Sequence, residues 1–376
     1  MLRLILFATL SFGLAQASLL PVASAVQESK VYVCPMHPEV QSSTEGKCPK
    51  CEMKLVLETP AKKEPEADAE AYACPMHLEI RTGAPGKCPK CQMALVPSNP
   101  SIVDEFNLKV EVTPKAPQPN EKVRLRFVAY HPKTGQQVKQ FALMHERLFH
   151  LFIISQDMTR FQHIHPEAHP DGSFTIETVL PAPGHYKIYS DIYPIEGTPQ
   201  VLQHDLVTAG YKSDLMASEA KLTPDASLTK IVEGVKVTKE DAPRLGVDLS
   251  ALTPGPVNPM KVELTLEPAE IIAGKPVQLK YRLTDAKTGE PIRDLVPYLA
   301  AWGHTLILSE DQTDYVHSHP EQAVPENAIQ EKLRGGPDVT FDALLPRPGI
   351  YRIWTQFLRG DTLTTVSFTV KAVRLG

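Results

Sequence analysis

Three patterns of apolar and polar residues follow one another along the chain. Leu4 to Leu14 is an uncharged apolar run behind the short positive start Met1-Leu-Arg3. A bilayer span needs about 20 apolar residues, so this run is too short to be one. Small residues follow at Ala15-Gln-Ala17 and at Ala23-Ser-Ala25, both fitting a cleavage site. Residues 1–25 therefore read as a secretory signal, with cleavage after residue 17 fitting equally, and the mature chain is expected to be periplasmic or secreted. No later segment is apolar enough to predict a transmembrane helix. From residue 105 onward the pattern is one of short runs. Val110-Glu-Val112, Val123 to Phe127, Leu151 to Ile154, Phe174-Thr-Ile176 and Tyr186 to Tyr189 are β-branched or aromatic, and Pro, Gly, Asn and Asp separate them. About seven such strands in about 105 residues predict a β-sandwich of immunoglobulin-like or cupredoxin-like type.

The same pattern then returns. Val123-Arg-Leu-Arg-Phe127 with Lys133-Thr-Gly135 is answered by Val277-Gln-Leu-Lys-Tyr281 with Lys287-Thr-Gly289, 154 residues later. After an insertion of eleven residues, Leu180-Pro-Ala-Pro-Gly184 is answered by Leu345-Pro-Arg-Pro-Gly349. The fold class is accordingly mainly β, with two homologous sandwich domains over 105–210 and 258–374. The connecting segment 211–257 shows a helical hint from Ser213 to Lys221. Val235-Lys-Val237 and Val247-Asp-Leu249 in the same segment suggest a small hairpin.

Before the sandwiches lies a region with neither periodicity. Tyr32-Val-Cys34-Pro-Met36-His37-Pro-Glu-Val40 continues to Gly46-Lys-Cys48-Pro-Lys-Cys51-Glu-Met53-Lys-Leu55. Forty residues on, Tyr72-Ala-Cys74-Pro-Met76-His77-Leu-Glu-Ile80 continues to Gly86-Lys-Cys88-Pro-Lys-Cys91-Gln-Met93-Ala-Leu95. Both copies, over 31–57 and 71–97, read C-x2-H-x10-C-x2-C. Two ligand pairs joined by a loop of about ten residues suit a small tetrahedral Cys3His site. The methionines change the expected ion, because thioether and thiolate are soft donors that favour Cu(I). Residues 58–70, charged and poor in apolar side chains, read as a flexible linker between the cassettes.

The cassettes resemble the heavy-metal-binding domain found on periplasmic adaptor subunits of copper and silver efflux pumps and on some copper-transporting ATPases. The resemblance covers about residues 31–97. Leu78 departs from it, standing where that family has proline. Glu52 and Gln92 also depart, standing where it usually has glycine. What the resemblance implies is heavy-metal binding, with an efflux pump or transporter as a partner. A structural zinc knuckle and a thiol–disulfide motif are the other readings of the same residues. All six cysteines of the chain fall in the cassettes, three in each. An odd number cannot pair off within one module, whereas a metal–thiolate site uses three without remainder. The remaining composition adds little: Lys and Arg total 39 against 44 Asp and Glu, for a net charge of −5. With no basic cluster, nucleic acid is not an expected partner.

The sandwiches contribute a second set of candidate ligands. His150, His163 and His165 recur at the offset of 154 as His304, His317 and His319. A hairpin turning at Ser155-Gln-Asp-Met158 sets His150 opposite His163, and the same construction sets His304 opposite His317. Alternation then places His165 and His319 on the same faces. Three imidazoles on one face suit Cu(II) or Zn(II) with coordination positions left open. The plainer reading is hydrogen-bonding core histidines. His131, His145, His169, His185 and His204 have no counterpart in the second domain and read individually as surface residues. Met144 and His145 stand out for lying just upstream of the hairpin. An exported metal-binding protein, acting in copper buffering, delivery or resistance, is the function expected. A pump accessory is the alternative, but no long heptad-patterned segment is present for the helical hairpin of such adaptors. An enzyme would need an acid or base beside the metal, and Glu167 and Glu321 are the only carboxylates that recur next to the histidines.

Overall fold

The computed structural model describes residues 32–33, 40–50, 52–57, 71–74, 80–89, 94–98, 105–195, 197–212, 220–254, 257–322, 324–325, 327–329 and 331–375. The signal segment, the linker 58–70 and most of the helical hint lie outside the described residues. So do Cys34, Met36, His37, Cys51, Met76, His77, Cys91 and Met93.

The chain divides into two compact units, Met1–Ala67 and Asp68–Gly376. The first holds cassette 1, where β1 (Tyr32–Val33), β2 (Gln41–Ser42) and β3 (Val56–Leu57) form a sheet in the order β2-β1-β3. Its core is Cys48 and Leu55, with Tyr32 and Val40 against them. Among the described residues that is little buried apolar surface, and a module this small ordinarily draws on a bound ion for part of its folding energy. Glu52 N–H donates to Cys48 O at 2.8 Å and closes the turn between the two sulfur positions. Glu52 lies in the left-handed region at φ 58°. That is a conformation glycine adopts without a steric cost, at the place where related cassettes usually carry glycine.

Cassette 2 opens the second unit. Strands β4 (Ala71–Ala73), β5 (Arg81–Thr82) and β6 (Val96–Ser98) take the order β5-β4-β6 over Cys74, Cys88 and Leu95. Val96 packs on Ala142, Met144 and Tyr193 of the first sandwich, so this cassette is seated on its neighbour.

The first sandwich is built from β7 (Asn107–Thr113), β8 (Lys122–Tyr130), β9 (Phe149–Ser155), β10 (Phe161–Ile164), β11 (Glu167–Ala168), β12 (Phe174–Val179), β13 (His185–Ile192) and β14 (Gln200–Val207). One sheet runs β10-β9-β13-β14 and the other β11-β12-β8-β7. Between them lie Phe127, Phe149, Leu151, Ile153, Tyr186 and Ile188. The connecting segment adds β15 (Thr229–Val232), β16 (Val235–Lys236), the one-turn helix α1 (Ala242–Leu245) and a 3-10 turn at Leu249–Ala251. These pieces do not form a hairpin with one another. β15 pairs with β17 (Met260–Glu267), and β16 pairs with the last strand, β25 (Thr362–Val373).

The second sandwich continues with β18 (Ile271–Ile272), β19 (Pro276–Asp285), β20 (Leu295–Val296), β21 (His304–Ser309), β22 (Tyr315–Ser318), β23 (Asp338–Leu344) and β24 (Gly349–Arg359). Its sheets run β15-β17-β19-β23 and β16-β25-β24-β21-β22, with β18 on β25 and β20 on β24. Tyr281, Ile307, Phe341, Ile353, Phe357 and Phe368 fill the space between them.

Strands β9 and β21 are buried along their whole length. In β9, Phe149, Leu151 and Ile153 face their own core. Phe152 and Ile154 face the other way and meet Leu306, Leu308 and Trp354 of the second sandwich. The two sandwiches are therefore joined sheet face to sheet face. A fully buried side chain of this size contributes roughly 1.5–3 kcal/mol, enough across these residues to fix the contact.

The contact is also reciprocal. Phe161 stacks on Trp354 at 5.1 Å between ring centroids, and Tyr315 stacks on Tyr189 at 5.7 Å. His163 meets Gln356, and His317 meets Asp191. Each pair maps onto the other when the repeat is exchanged, as across a two-fold interface.

Candidate metal centre

The hairpin turns one residue later than the simplest construction gives, which displaces each pairing by two. His163 is paired with Phe152, not His150, and His317 with Leu306, not His304. The cause is local. Asp157 Oδ1 accepts from Thr159 N at 3.0 Å, and Met158 takes φ 56°, so the chain needs a four-residue loop before pairing resumes with Ser155 N donating to Arg160 O. Asp311, Thr313 and Gln312 (φ 58°) repeat this in the second domain. A shift of two preserves parity. The histidines stay on one face, and that face is the one turned towards the other sandwich.

There, three nitrogens of the first domain meet. His150 Nδ1 lies 3.2 Å from His163 Nε2 and 3.3 Å from His165 Nε2, and the last two are 3.2 Å apart. Each ring's other nitrogen points at an oxygen. His150 Nε2 donates to Met144 O at 2.8 Å, His163 Nδ1 to Gln356 Oε1 at 2.9 Å, and His165 Nδ1 to Arg244 O at 3.2 Å. In that sense the Gln356 amide also donates from its Nε2 to Thr365 Oγ1. A neutral imidazole has one N–H, and in all three rings it is committed outward. The inner contacts are accordingly lone pair against lone pair, an arrangement that a cation relieves. A triangle of this edge has a circumradius of about 1.9 Å, so an ion at a metal–nitrogen distance of about 2.0 Å lies close to its plane. Outward acceptors on ligand histidines fix tautomer and ring orientation in just this way.

The second domain repeats the set. His304 Nε2 donates to Tyr298 O at 2.9 Å, and His317 Nδ1 to Asp191 Oδ2 at 3.0 Å, a carboxylate that also accepts from Tyr315 Oη. Buried His304 Nδ1, His317 Nε2 and both nitrogens of His319 have no hydrogen-bond partner among the described residues. Ligand nitrogens of His304, His317 and His319 lie within 4.8 Å of one another. So do those of His150, His163 and His317, which makes His317 common to both neighbourhoods.

Burial, reinforced by the neighbouring imidazoles, holds His163, His165, His304 and His319 well below the ordinary histidine range. The same causes bring His150 down to about 4. The rings are thus neutral at pH 7, with lone pairs available to a metal.

Two histidines expected at the surface are buried. His145 stacks on His319 at 3.3 Å between centroids, and desolvation lowers its pKa too. His185 is held by Gln156 and Asp205 away from the cluster. The Met144 side chain packs on Tyr193 outside the cluster, and only its carbonyl reaches His150. Glu167 and Glu321 are exposed and make no contact with the rings, so the carboxylate that serves them is Asp191. Asp191 and Gln356 occupy matching places, each directly paired with the first histidine of its domain. Their separation of 165, the offset of 154 plus the insertion of eleven, is the signal by which the sequence could have found them.

Of the cassette residues, Cys48, Cys74 and Cys88 are buried, while Met53 is exposed. Helix α1 serves the histidine centre directly, since Arg244 O accepts both the backbone N–H and the ring Nδ1 of His165. Gly246, at φ 71°, ends that helix. A Cβ there would stand 2.6 Å from Leu299 Cδ2 and 3.0 Å from His165 Nδ1. Gly246→Ala is therefore expected to displace His165. Stability should fall by about 1–2 kcal/mol, and metal affinity by about 10–100-fold, as for other changes behind a ligand. Thermal unfolding and chelator competition measure the two. Unchanged affinity would show that His165 is not a ligand.

Comparison with known proteins adds the class and then the family. The model of the heavy metal binding domain matches residues 31–58 and 71–98, so this is a heavy-metal-binding protein built mainly of β-sandwich. The chain belongs to the family of a domain of unknown function (DUF8832), whose model matches at residues 101–210 and again at 257–374. No curated protein matches it. Among solved structures it is similar to FdeC, an adhesin of Escherichia coli, at 10% identity over 72% of this chain and 67% of that one, with a TM-score of 0.21. Carbohydrate-binding modules of the β-sandwich superfamily match at 10% identity, 73% and 94% coverage and a TM-score of 0.19. A membrane-anchored protein of Corynebacterium diphtheriae matches at 11%, 72% and 57%, and 0.18. Likenesses this weak carry no argument about function. Among the described residues no helix is long and apolar enough to cross a membrane.

Proposed function

We propose that the chain is an exported copper-binding protein, periplasmic or secreted, that buffers the metal or delivers it to an efflux pump or transporter. The cassettes hold Cu(I) through Cys34, His37, Cys48 and Cys51, and through Cys74, His77, Cys88 and Cys91, with Met36, Met53, Met76 and Met93 supplying soft donors alongside. The sandwich histidines hold copper through imidazole, and zinc fits the same nitrogens. The observation that carries this reading is the triangle of inward nitrogens at 3.2–3.3 Å with every N–H committed outward. A groove of about 960 Å³ reaches His165 from the surface, and its lining counts five carboxylates (Glu146, Glu167, Glu177, Glu240, Asp241) against Lys122, Arg147 and Arg244. A negative mouth draws cations.

The test is titration of the full chain with Cu(I) against a calibrated chelator. Changing Cys48 and Cys51 to serine is expected to remove one equivalent and leave cassette 2 intact. Changing His150, His163 and His165 together to alanine should leave both cassette equivalents and lower the metal bound at the sandwiches, where His304, His317 and His319 remain. A triple variant with undiminished metal content would sink the histidine half of the reading.

A further inference from the structure

The two histidine sets are not two separate sites, one in each domain. We infer that they form a single dinuclear centre at the interface of the sandwiches, taking a pair of first-row transition ions. This rests on the proposal that the histidines bind metal at all.

Four observations carry it. The interface is reciprocal, so whatever His150, His163 and His165 hold on one side has a counterpart beside His304, His317 and His319 on the other. The rings interleave across the boundary. His150 and His317 have centroids 5.3 Å apart, His163 and His304 5.8 Å, and His163 and His317 5.9 Å. His317 offers a ring nitrogen within 4.8 Å of the ligand nitrogens of both neighbourhoods. Each domain also buttresses the other's ligand, Gln356 holding His163 and Asp191 holding His317, so neither set is complete in its own domain. Six inward-facing rings are two more than one ion of coordination number four uses, and two-metal sites hold their ions about 3.5–4 Å apart.

The charge balance says what else the pair takes. Asp191 is the one carboxylate bonded to a ring of the two sets among the described residues. Two Cu(I) ions with six neutral imidazoles and Asp191 leave a net +1. Two divalent ions leave +3 in a buried, low-dielectric space, which is costly. The oxidised or zinc-loaded pair therefore takes an anionic bridge, hydroxide being the smallest, whereas the Cu(I) pair needs none.

The test uses the full chain with its six cassette cysteines changed to serine, loaded with Cu(II), and compares copper per chain with the electron paramagnetic resonance spin count. Two coppers per chain with a spin count well below two, or a half-field signal, are expected. His319→Leu in the same background should leave one copper and restore an ordinary mononuclear spectrum. The wild-type chain with its cassettes filled by spinless Cu(I) gives a second measurement, should the serine variant fail to fold. One copper per chain, or two with full and independent spins, overturns the dinuclear centre and leaves the histidine site standing. No copper at the sandwiches overturns both.

Discussion

Replacing His319 with leucine is expected to stabilise the metal-free protein and to cripple the metal-bound one. Both ring nitrogens of His319 are buried without a partner among the described residues, and a buried unsatisfied polar group costs about 1–3 kcal/mol. Leucine fills comparable space without that cost and keeps an apolar face against His145, which stacks on His319. The metal-free variant should therefore gain about 1–3 kcal/mol in denaturant unfolding. Its affinity for the second copper of the histidine centre should drop by more than about 100-fold, the upper range for changes one shell further out. Opposite signs separate the two roles that a buried histidine can have. A core histidine chosen for packing would lose stability on replacement and leave metal content unchanged, and that result would sink the assignment of His319 as a ligand. A site that costs stability when empty is the usual signature of residues kept for function.

What the sequence disclosed depended on how local each feature is. The cassettes were legible because spacing alone sets their chemistry: C-x2-H and C-x2-C bring donors together within a few residues. The sandwich class was legible because β-branched runs recur between turn residues. The histidine face survived an error of register because the turn at Asp157 and Met158 displaced the pairing by two, which leaves the parity of His150, His163 and His165 unchanged. The approach of one sandwich to the other was not legible, because it lies between residues more than 120 positions apart. Even so, the run Leu151-Phe-Ile-Ile154 carries no polar residue for a solvated face, and Thr305-Leu-Ile-Leu308 has only one threonine. A strand covered on both sides reads that way. His145 looked like a surface residue for the same reason: nothing near it in sequence buries it, and the ring that covers it is His319. Helix α1, a single turn with Pro243 inside it, is too short for periodicity to reveal, yet its carbonyl holds His165.

Acid should destabilise the metal-free protein in a window set by the histidines and should leave the loaded centre largely intact there. In the folded state burial, aided by the neighbouring rings, lowers His150 to about 4, and the same causes lower His145, His163, His165, His304 and His319. An unfolded chain protonates its histidines near the ordinary 6.5. Between those values the unfolded state binds more protons than the folded one, so stability, fully present above 6.5, declines as pH falls towards 4. His150 alone accounts for roughly 3 kcal/mol of that loss, at about 1.4 kcal/mol per tenfold change in proton affinity, and the other rings add in the same direction. A bound ion occupies the nitrogens that protons would take, and exposed imidazole ligands release metal as pH falls through about 6. Here the rings resist protonation while folded, so copper should be retained to well below pH 6. Thermal unfolding of metal-free and copper-loaded protein from pH 7 to pH 4, in the chain whose cassette cysteines are serine, reads both effects. Both unfolding temperatures should fall together below pH 6.5, because neither folded form takes up protons at these rings there, with the copper-loaded protein staying above the metal-free one. A metal-free protein of constant stability over that range, or copper lost by pH 6, would mean that the imidazoles are hydrated and titrate freely, and that the buried centre does not form in solution.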